Sequence, residues 1–366
     1  MRKALSGLTF AAFASVFLMF GGNAEAQARP YHVVVCETPS GSGGGQPVER
    51  YRIEGTGGDI TRLSDIEGTL VDDPVAVIFR TPVQLLVSNR SAHSGNSTIS
   101  TFIFDPDYLT YTPGPVISGN GLTDAVQMAL DPVTGELFVT NWTGGVVSRF
   151  LFDESGNAVP NGTLTLNDSD AQLGIAIREA NQDLFISDYN YIRHFRHQPD
   201  GSYVRAADIN IPGETLIHFM CFRGDELYVC GFSTGMVYRF LFDDNGDPLP
   251  NGTVVSPDAL GVAFSPDGQE MLVSHHLNGA IARYLYDEAT DTWQYFEEIE
   301  TPSLAGIATM LMCIGDLDQD LDVDQSDLGI LLSAYGNNAD GDLDGDGVTG
   351  QSDLGLLLAS YGSDCE

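Results

Sequence analysis

Lysine is all but missing. Of 16 basic residues in 366, the only lysine is Lys3, and arginine supplies the rest. A chain so poor in positive charge has no patch to displace counterions from phosphates, which excludes nucleic acid as a partner. It also has no lysine for Schiff-base chemistry once the N-terminus is removed. Acidic residues number 51, for a formal net charge of −35, a balance that repels anions and favours divalent cations. Cysteine is scarce, at five, and the odd number leaves at least one thiol over or paired with another molecule. We read no serine nucleophile elbow, zinc-protease helix, phosphate loop or C-x-x-C pair.

The first residues carry Arg2 and Lys3, an apolar run from Leu8 to Phe20, and small residues around Ala24, Ala26 and Ala28. This pattern predicts a secretory signal peptide over 1–28. The apolar run is too short to span a bilayer comfortably, and no later segment is long enough. The mature chain is therefore expected to be secreted, at the cell surface or periplasmic, without a transmembrane segment.

From Tyr31 to Met312 one pattern recurs with a period of roughly 43 to 48 residues, in the range of stacked repeat architectures. An apolar run, a turn and a second strand are seen in AVQMALDPVTGELFVTNW from Ala125, LGIAIREANQDLFISDY from Leu173, LIHFMCFRGDELYVCGF from Leu216 and LGVAFSPDGQEMLVSHH from Leu260, with a looser copy from Val75. A third strand follows, as in SRFLFD at Ser148, YRFLFD at Tyr238 and ARYLYD at Ala282. A fourth follows that, as in NGTLTL at Asn161 and NGTVVS at Asn251. Four strands joined by tight turns make one small antiparallel sheet, which buries its faces only against neighbouring copies. SLAGIATM from Ser303 is a first strand lacking its second, and YHVVVCET from Tyr31 is a second strand lacking its first. The two fragments complete each other. The fold class is all-β: a six-bladed β-propeller over 29–312, its last blade closed by both ends, with five or seven blades as the alternative.

The ends of the second strands read Glu37, Asn89, Asn141, Asp188, Gly231 and His275. They could form a polar channel ring that binds a small ligand or cation, with His275 or His276 as general base. The other reading is that Asn and Asp there cap the following turn. Arginine recurs at the third strand, as Arg50, Arg149, Arg193, Arg239 and Arg283, with Thr101 in the remaining copy. A residue recurring in most blades serves the repeat's own packing more naturally than an anion belt.

The tail, 313–366, carries chemistry of its own. Calcium takes six to eight oxygens, and a twelve-residue loop supplies them from positions 1, 3, 5, 7, 9 and 12. In the first copy these are Asp316, Asp318, Asp320, Asp322, Asp324 and Asp327. In the second they are Asp342, Asp344, Asp346, Val348, Gly350 and Asp353, with Val348 offering its carbonyl and water standing in at Gly350. At the sharp turn of position 6 the second loop has Gly347 and the first Leu321, so one has the better geometry and the other more charge. A short apolar helix begins at each position 12. Two Ca2+ sites are expected.

These residues resemble the type I dockerin, a small α-helical module of paired EF-hand-like loops that calcium folds. The resemblance implies a docking face for a cohesin-like or cell-surface partner, and the near-identity of Gln325-Ser326-Asp327-Leu328 and Gln351-Ser352-Asp353-Leu354 suggests two equivalent faces. The chain departs from the family in having Ser333-Ala334 and Ala359-Ser360 where a Lys-Arg pair is frequent, which bears on the cohesin contact and not on calcium. Antiparallel packing of the copies would bring Cys313 and Cys365 together, and we expect a disulfide there worth roughly 3 to 4 kcal/mol. Cys36 is expected to pack as a small apolar residue, and Cys221 and Cys230 receive no pairing.

FVTNW at Phe138 and GVAFSPDG at Gly261 resemble secreted YVTN and NHL repeat proteins and lactonases of the SMP-30 (gluconolactonase) group. In that last group the resemblance implies a central divalent metal held by inner-strand oxygens. Here the corresponding positions are Leu260, Val126 and Leu173, so the metal does not carry over. Two functions follow: an exported calcium-binding protein with a propeller recognition or scaffold surface and an anchoring tail, or an enzyme on glycosidic or lactone bonds of the kind dockerins accompany, as in polysaccharide catabolism.

Overall fold

The computed structural model describes residues 31–362 apart from 38–46, 67–69, 82–83, 91–96, 106–109, 154–155, 167–171, 278, 302–303, 312–314, 318–322, 338–340 and 342–348. The expected signal peptide, Cys313 and Cys365 lie outside these residues. Six separate antiparallel sheets form the ring, a six-bladed β-propeller. The closing blade is assembled as the two sequence fragments suggest: Leu304–Leu311 from the C-terminal side pairs with Tyr31–Glu37, with Val33 opposite Thr309 and Val34 opposite Ala308.

The inner strands are Pro74–Thr81, Ala125–Leu130, Gln172–Ile177, Ile217–Arg223, Ala259–Phe264 and Leu304–Leu311, each in contact with the next around the ring. They come very close where the ring closes. An added Cβ on Gly306 would lie 2.6 Å from Ala76 Cα and 2.8 Å from Val75 O, so no larger residue fits.

The second strands are buried on both faces, since each lies between the blades on either side. Gln84–Asn89, Leu137–Asn141, Leu184–Asp188, Glu226–Gly231 and Glu270–His275 are buried throughout. That explains their unbroken apolar spelling, LLV, LFV, LFI, LYV and MLV. One apolar layer fills each of the six blade interfaces, as where Leu86 and Ile99 meet Met128 and Val139, and a seventh cluster, Ala76, Val126, Leu173 and Phe219, closes the channel.

The closing blade has a short fourth strand, Ile60–Arg62, and the other five fourth strands divide into two kinds. In three blades they are continuous: Ala158–Thr165, Pro248–Val255 and Thr292–Glu300. In two others they break into pieces, Thr110–Pro113 with Ile117–Ser118 and Tyr203–Arg205 with Ile209–Asn210. In the first of these the break falls at Pro113-Gly114-Pro115, where each proline lacks the N–H a ladder needs, and the Thr101 hydroxyl donates to Pro115 O instead.

In the tail, helix α1 (Gln325–Ala334) and helix α2 (Gln351–Ser360) share a small core of Val323, Leu331 and Leu357. Two backbone bonds tie the copies reciprocally: Gly362 N donates to Val323 O and Gly336 N to Thr349 O. Donors and acceptors are both 26 positions apart, the period of the sequence repeat. No described helix is long and apolar enough to cross a membrane.

Candidate functional site

The expected channel ring does not converge. Asn89 accepts from Asp72 N and donates to Ser100 Oγ; Asn141 accepts from Thr123 N and donates to Val146 O and Ser148 Oγ. Asp188 is taken by Arg193 and the Tyr191 hydroxyl. His275 is buried against Ser256 Oγ through Nε2, 2.9 Å away, and burial lowers its pKa. Asn89, Asn141 and His275 brace the loop entering their own blade, and Asp188 bonds the next strand of its blade. At Gly231 no side chain is present, and Glu214 serves instead, accepting from Leu216 N, Ser233 N and Thr234 N. Burial alone would raise its carboxyl, and those bonds together hold it below the usual range. Glu37 ends the strand at its register position, and its side chain lies outside the described residues.

The five arginines likewise serve the blades. Arg149, Arg239 and Arg283 each pair with the glutamate thirteen residues earlier, Glu136, Glu226 and Glu270. Arg193 pairs with Asp188, and Arg50 stacks on Tyr111 of the next blade. Thr101 takes the remaining place with the bond to Pro115. The Asn-Gly pairs of the fourth strands complete this arrangement. A bulge falls at each, and Gly162 and Gly252 adopt φ of +75° and +93°, turning Asn161 and Asn251 inward onto Glu136 and Glu226, both at 2.7 Å.

One register step further lies a different set. The residue after each strand end stands in the turn beyond the strand and leaves the brace. These residues are Arg90, Trp142, Tyr189, Phe232 and His276. The Arg90 guanidinium lies over the Trp142 ring at 5.4 Å and reaches Asp73 at 3.4 Å and Asp124 at 3.7 Å. Across the ring, Phe232 packs against His218 at 5.1 Å and His276 at 6.2 Å. Burial first, then the neighbouring His276, push His218 down to about 4, so it is neutral at physiological pH. Burial raises Asp124, opposed by Arg90. Asp73, Asp124 and Asp258 repeat at the entry to three inner strands, accepting from the backbone N of Arg90, Trp142 and His276 respectively. The floor beneath is the apolar cluster of Val126, Leu173 and Phe219, joined by Val75 and Leu216. Below it, Gln127 crosses the channel, accepting from Ile175 N and donating to Met220 O, beside a cavity of about 370 Å³.

Of this set, sequence reasoning had named only His276. The usable signal was the aromatic or cationic residue following five of the strand ends. It also missed the spacing G-x-S-x-G at Gly231-Phe232-Ser233-Thr234-Gly235. There Ser233 stands in a tight turn between two strands, bonded to the Thr215 hydroxyl, with no helix behind it, so the elbow geometry is absent.

In the tail, Asp318, Asp320, Asp322, Asp342, Asp344, Asp346 and Val348 lie outside the described residues. Of the remaining expected ligands, Asp327 accepts from Leu317 N and Asp324 N, Asp324 caps α1 through Ser326 N, Asp353 accepts from Gly350 N, and Asp316 is half-buried before the loop. Asp327 and Asp353 are 0% and 1% exposed, while 313–366 contains no Lys, Arg or His. Carboxylate oxygens at these loop positions are donors of the kind a divalent ion takes. The described cysteines Cys36, Cys221 and Cys230 are free thiols, and burial raises the pKa of each.

A closed ring of six blades with a polar-rimmed, apolar-floored mouth defines the class of protein, a six-bladed β-propeller. No protein-family model and no curated protein sequence matches the chain. Solved structures do. A candidate 6-phosphogluconolactonase of Bacteroides fragilis superposes with a TM-score of 0.59 at 13% identity, over 78% of this chain and 99% of that one. A Lactobacillus plantarum protein gives 0.57 at 10%, over 77% and 99%. The periplasmic gluconolactonase PpgL of Pseudomonas aeruginosa gives 0.54 at 18%, over 74% and 83%. At these identities the likeness is one of fold.

Proposed function

We propose that this chain is an exported lactone hydrolase whose chemistry lies at the propeller mouth, tethered by a calcium-folded, dockerin-like tail. The observations behind the first part are two contacts just past the ends of the second strands, Arg90 over Trp142 and Phe232 against His276. Opening a cyclic ester needs a base to activate water and a positive group where charge develops on the carbonyl oxygen. His276 is the base in this reading, with neutral His218 behind it, and Arg90 is the cation. Trp142 and Phe232 supply the wall for a sugar-derived ring. That two of the neighbours carry lactonase names supports the same reading. The metal of the gluconolactonase group does not fit, because Val126, Leu173 and Leu260 offer no side-chain oxygen, and no step is routed through one.

The test is a pH-stat assay on D-glucono-1,5-lactone and its 6-phosphate with wild type, His276→Ala and Arg90→Gln. Hydrolysis above the blank is expected, falling about a hundredfold or more in His276→Ala. Turnover at the blank rate for both substrates would discard the enzyme reading. The second reading, a non-catalytic recognition surface, would then stand, favoured by the way every described strand-end polar group is consumed within its own blade.

The tail reading rests on the buried Asp327 and Asp353 and on loop spacing. Asp316, Asp318, Asp320, Asp322, Asp324 and Asp327 would hold one Ca2+. Asp342, Asp344, Asp346, the Val348 carbonyl and Asp353 would hold the other. The ion supplies the charge that lets both helices pack. Calorimetry of the full chain with calcium is expected to give two sites, and a pull-down from the host's exported proteins is expected to lose a cohesin-like or surface partner when EDTA is added.

A further inference from the structure

Counting the blade closed by both ends as the first, the repeat is written almost identically in the third and fifth blades, and the place where the two copies differ is informative. In the third, Arg149 donates through Nε and Nη2 to Glu136 at 2.9 and 2.8 Å, and Asn161 joins the same glutamate. In the fifth, Arg239 does the same with Glu226 at 2.9 and 3.1 Å, joined by Asn251. The aromatic partners match as well. Phe138 meets Tyr203 of the following blade edge-on at 5.9 Å, and Tyr228 meets Trp293 of the following blade edge-on at 6.1 Å.

The fifth-blade arginine has a second acid. Asp291, two residues before Trp293, takes Arg239 Nη2 on one carboxylate oxygen at 2.6 Å and Asn251 Nδ2 on the other at 3.4 Å, and its main-chain O takes Nη1 at 2.8 Å. In the sixth blade Arg283 also has two acids, Glu270 and Glu297. Arg149 has one. Nothing among the described residues accepts from its Nη1, and its side chain is 20% exposed, against 6% and 0% for Arg239 and Arg283.

The residue two before Tyr203 is Gly201. It has the same left-handed backbone as Asp291, φ of +80° against +53°, and an added Cβ would meet nothing within 4 Å. The chain therefore keeps the cradle and omits the acid that fills it. We propose that the cleft between the third and fourth blades is a binding site for a small organic carboxylate, whose two oxygens take the Arg149 guanidinium and the Asn161 carboxamide as those of Asp291 take Arg239 and Asn251. The Tyr203 ring, 5.7 Å from the guanidinium, walls one side. Asp131 and Asp183 nearby are already engaged, by Gln182 and by His194 with His197 N.

The full chain, labelled with ¹⁵N-arginine and held at about 0.15 M salt to screen its net charge to ~8 Å, reports through the Nε–Hε signal of Arg149. Acetate and D-glucuronate are titrated, with D-glucose as the uncharged control. A saturable shift of that one signal is expected with both acids, with a Kd of ~1–10 mM, and none with glucose. A tenfold preference for glucuronate would support a sugar acid, and equal response a carboxylate alone. Gly201→Asp supplies the missing acid, and is expected to move the Arg149 signal without ligand and to weaken the response at least tenfold. Asn161→Ala is expected to weaken it threefold or more, and keeps the test open should Gly201→Asp not fold. Non-saturating shifts of all the arginine signals together, or a response unchanged in both variants, would overturn the proposal.

Discussion

Arg283 carries the sharpest stability prediction. Its side chain and that of Glu270 are both fully buried. The guanidinium donates to Glu270, to Glu297 and, at 3.0 Å, to Gly58 O in the blade that closes the ring. Glu270 in turn accepts from Gly57 N at 2.8 Å. The pair thus ties the sixth blade to the terminal one. Arg283→Met removes one partner and strands a carboxylate out of water, a change that costs about 3–5 kcal/mol. Glu297 is 45% exposed and is rehydrated, so it adds little. At about 2 °C per kcal/mol for a ring of this size, the melting temperature falls by roughly 6 to 10 °C. Calorimetry at fixed calcium measures this. The double variant Glu270→Leu/Arg283→Met is expected to recover part of the loss, because no charge is left stranded. Arg149→Met, at a part-exposed pair, is expected to cost about 1 kcal/mol. A shift for Arg283→Met no larger than that for Arg149→Met would refute the reasoning.

Other outcomes follow from the same structure. Gly306→Ala puts a methyl against Ala76 Cα and Val75 O, and is expected to lower the urea midpoint by about 1–3 kcal/mol equivalent. His32 and His218 are both lowered to about 4, chiefly by burial. The unfolded chain therefore binds more protons below its pKa of about 6.5, and stability is lost as pH falls from there towards 4. Urea midpoints across that range should fall with pH, and less steeply in His32→Phe. The helical circular dichroism of the chain is expected to drop on EDTA and return with excess calcium if the tail reading holds.

The ring was legible because each second strand is buried on both faces and spells an unbroken apolar run. Closure was legible because the strand Leu304–Leu311 is completed by the one that starts at Tyr31. Asn161-Gly162 and Asn251-Gly252 read as plain strand starts, yet the left-handed glycines bulge the ladder and aim each asparagine at a glutamate. No local pattern announces that, since the partner lies 25 residues earlier. The mouth was missed for a one-residue reason. The strand-end residue and its successor differ in setting, the first in the strand and the second in the turn beyond it, and no local pattern says which side chain the blade consumes. Gly231 shows how tertiary context replaces a missing residue, with Glu214 in the adjoining loop accepting from Thr215 N as Asn141 accepts from Thr123 N.

The claim that the mouth binds ligand is tested most directly by tryptophan emission. Only Trp142 and Trp293 emit, and Trp142 is part-exposed beneath Arg90 while Trp293 is buried between blades. Titrating D-gluconate, the product of the proposed reaction, into wild type is expected to change the emission saturably, and the change is expected to vanish in Trp142→Phe. A response that persists undiminished in Trp142→Phe, or none in wild type, would contradict the assignment of the mouth.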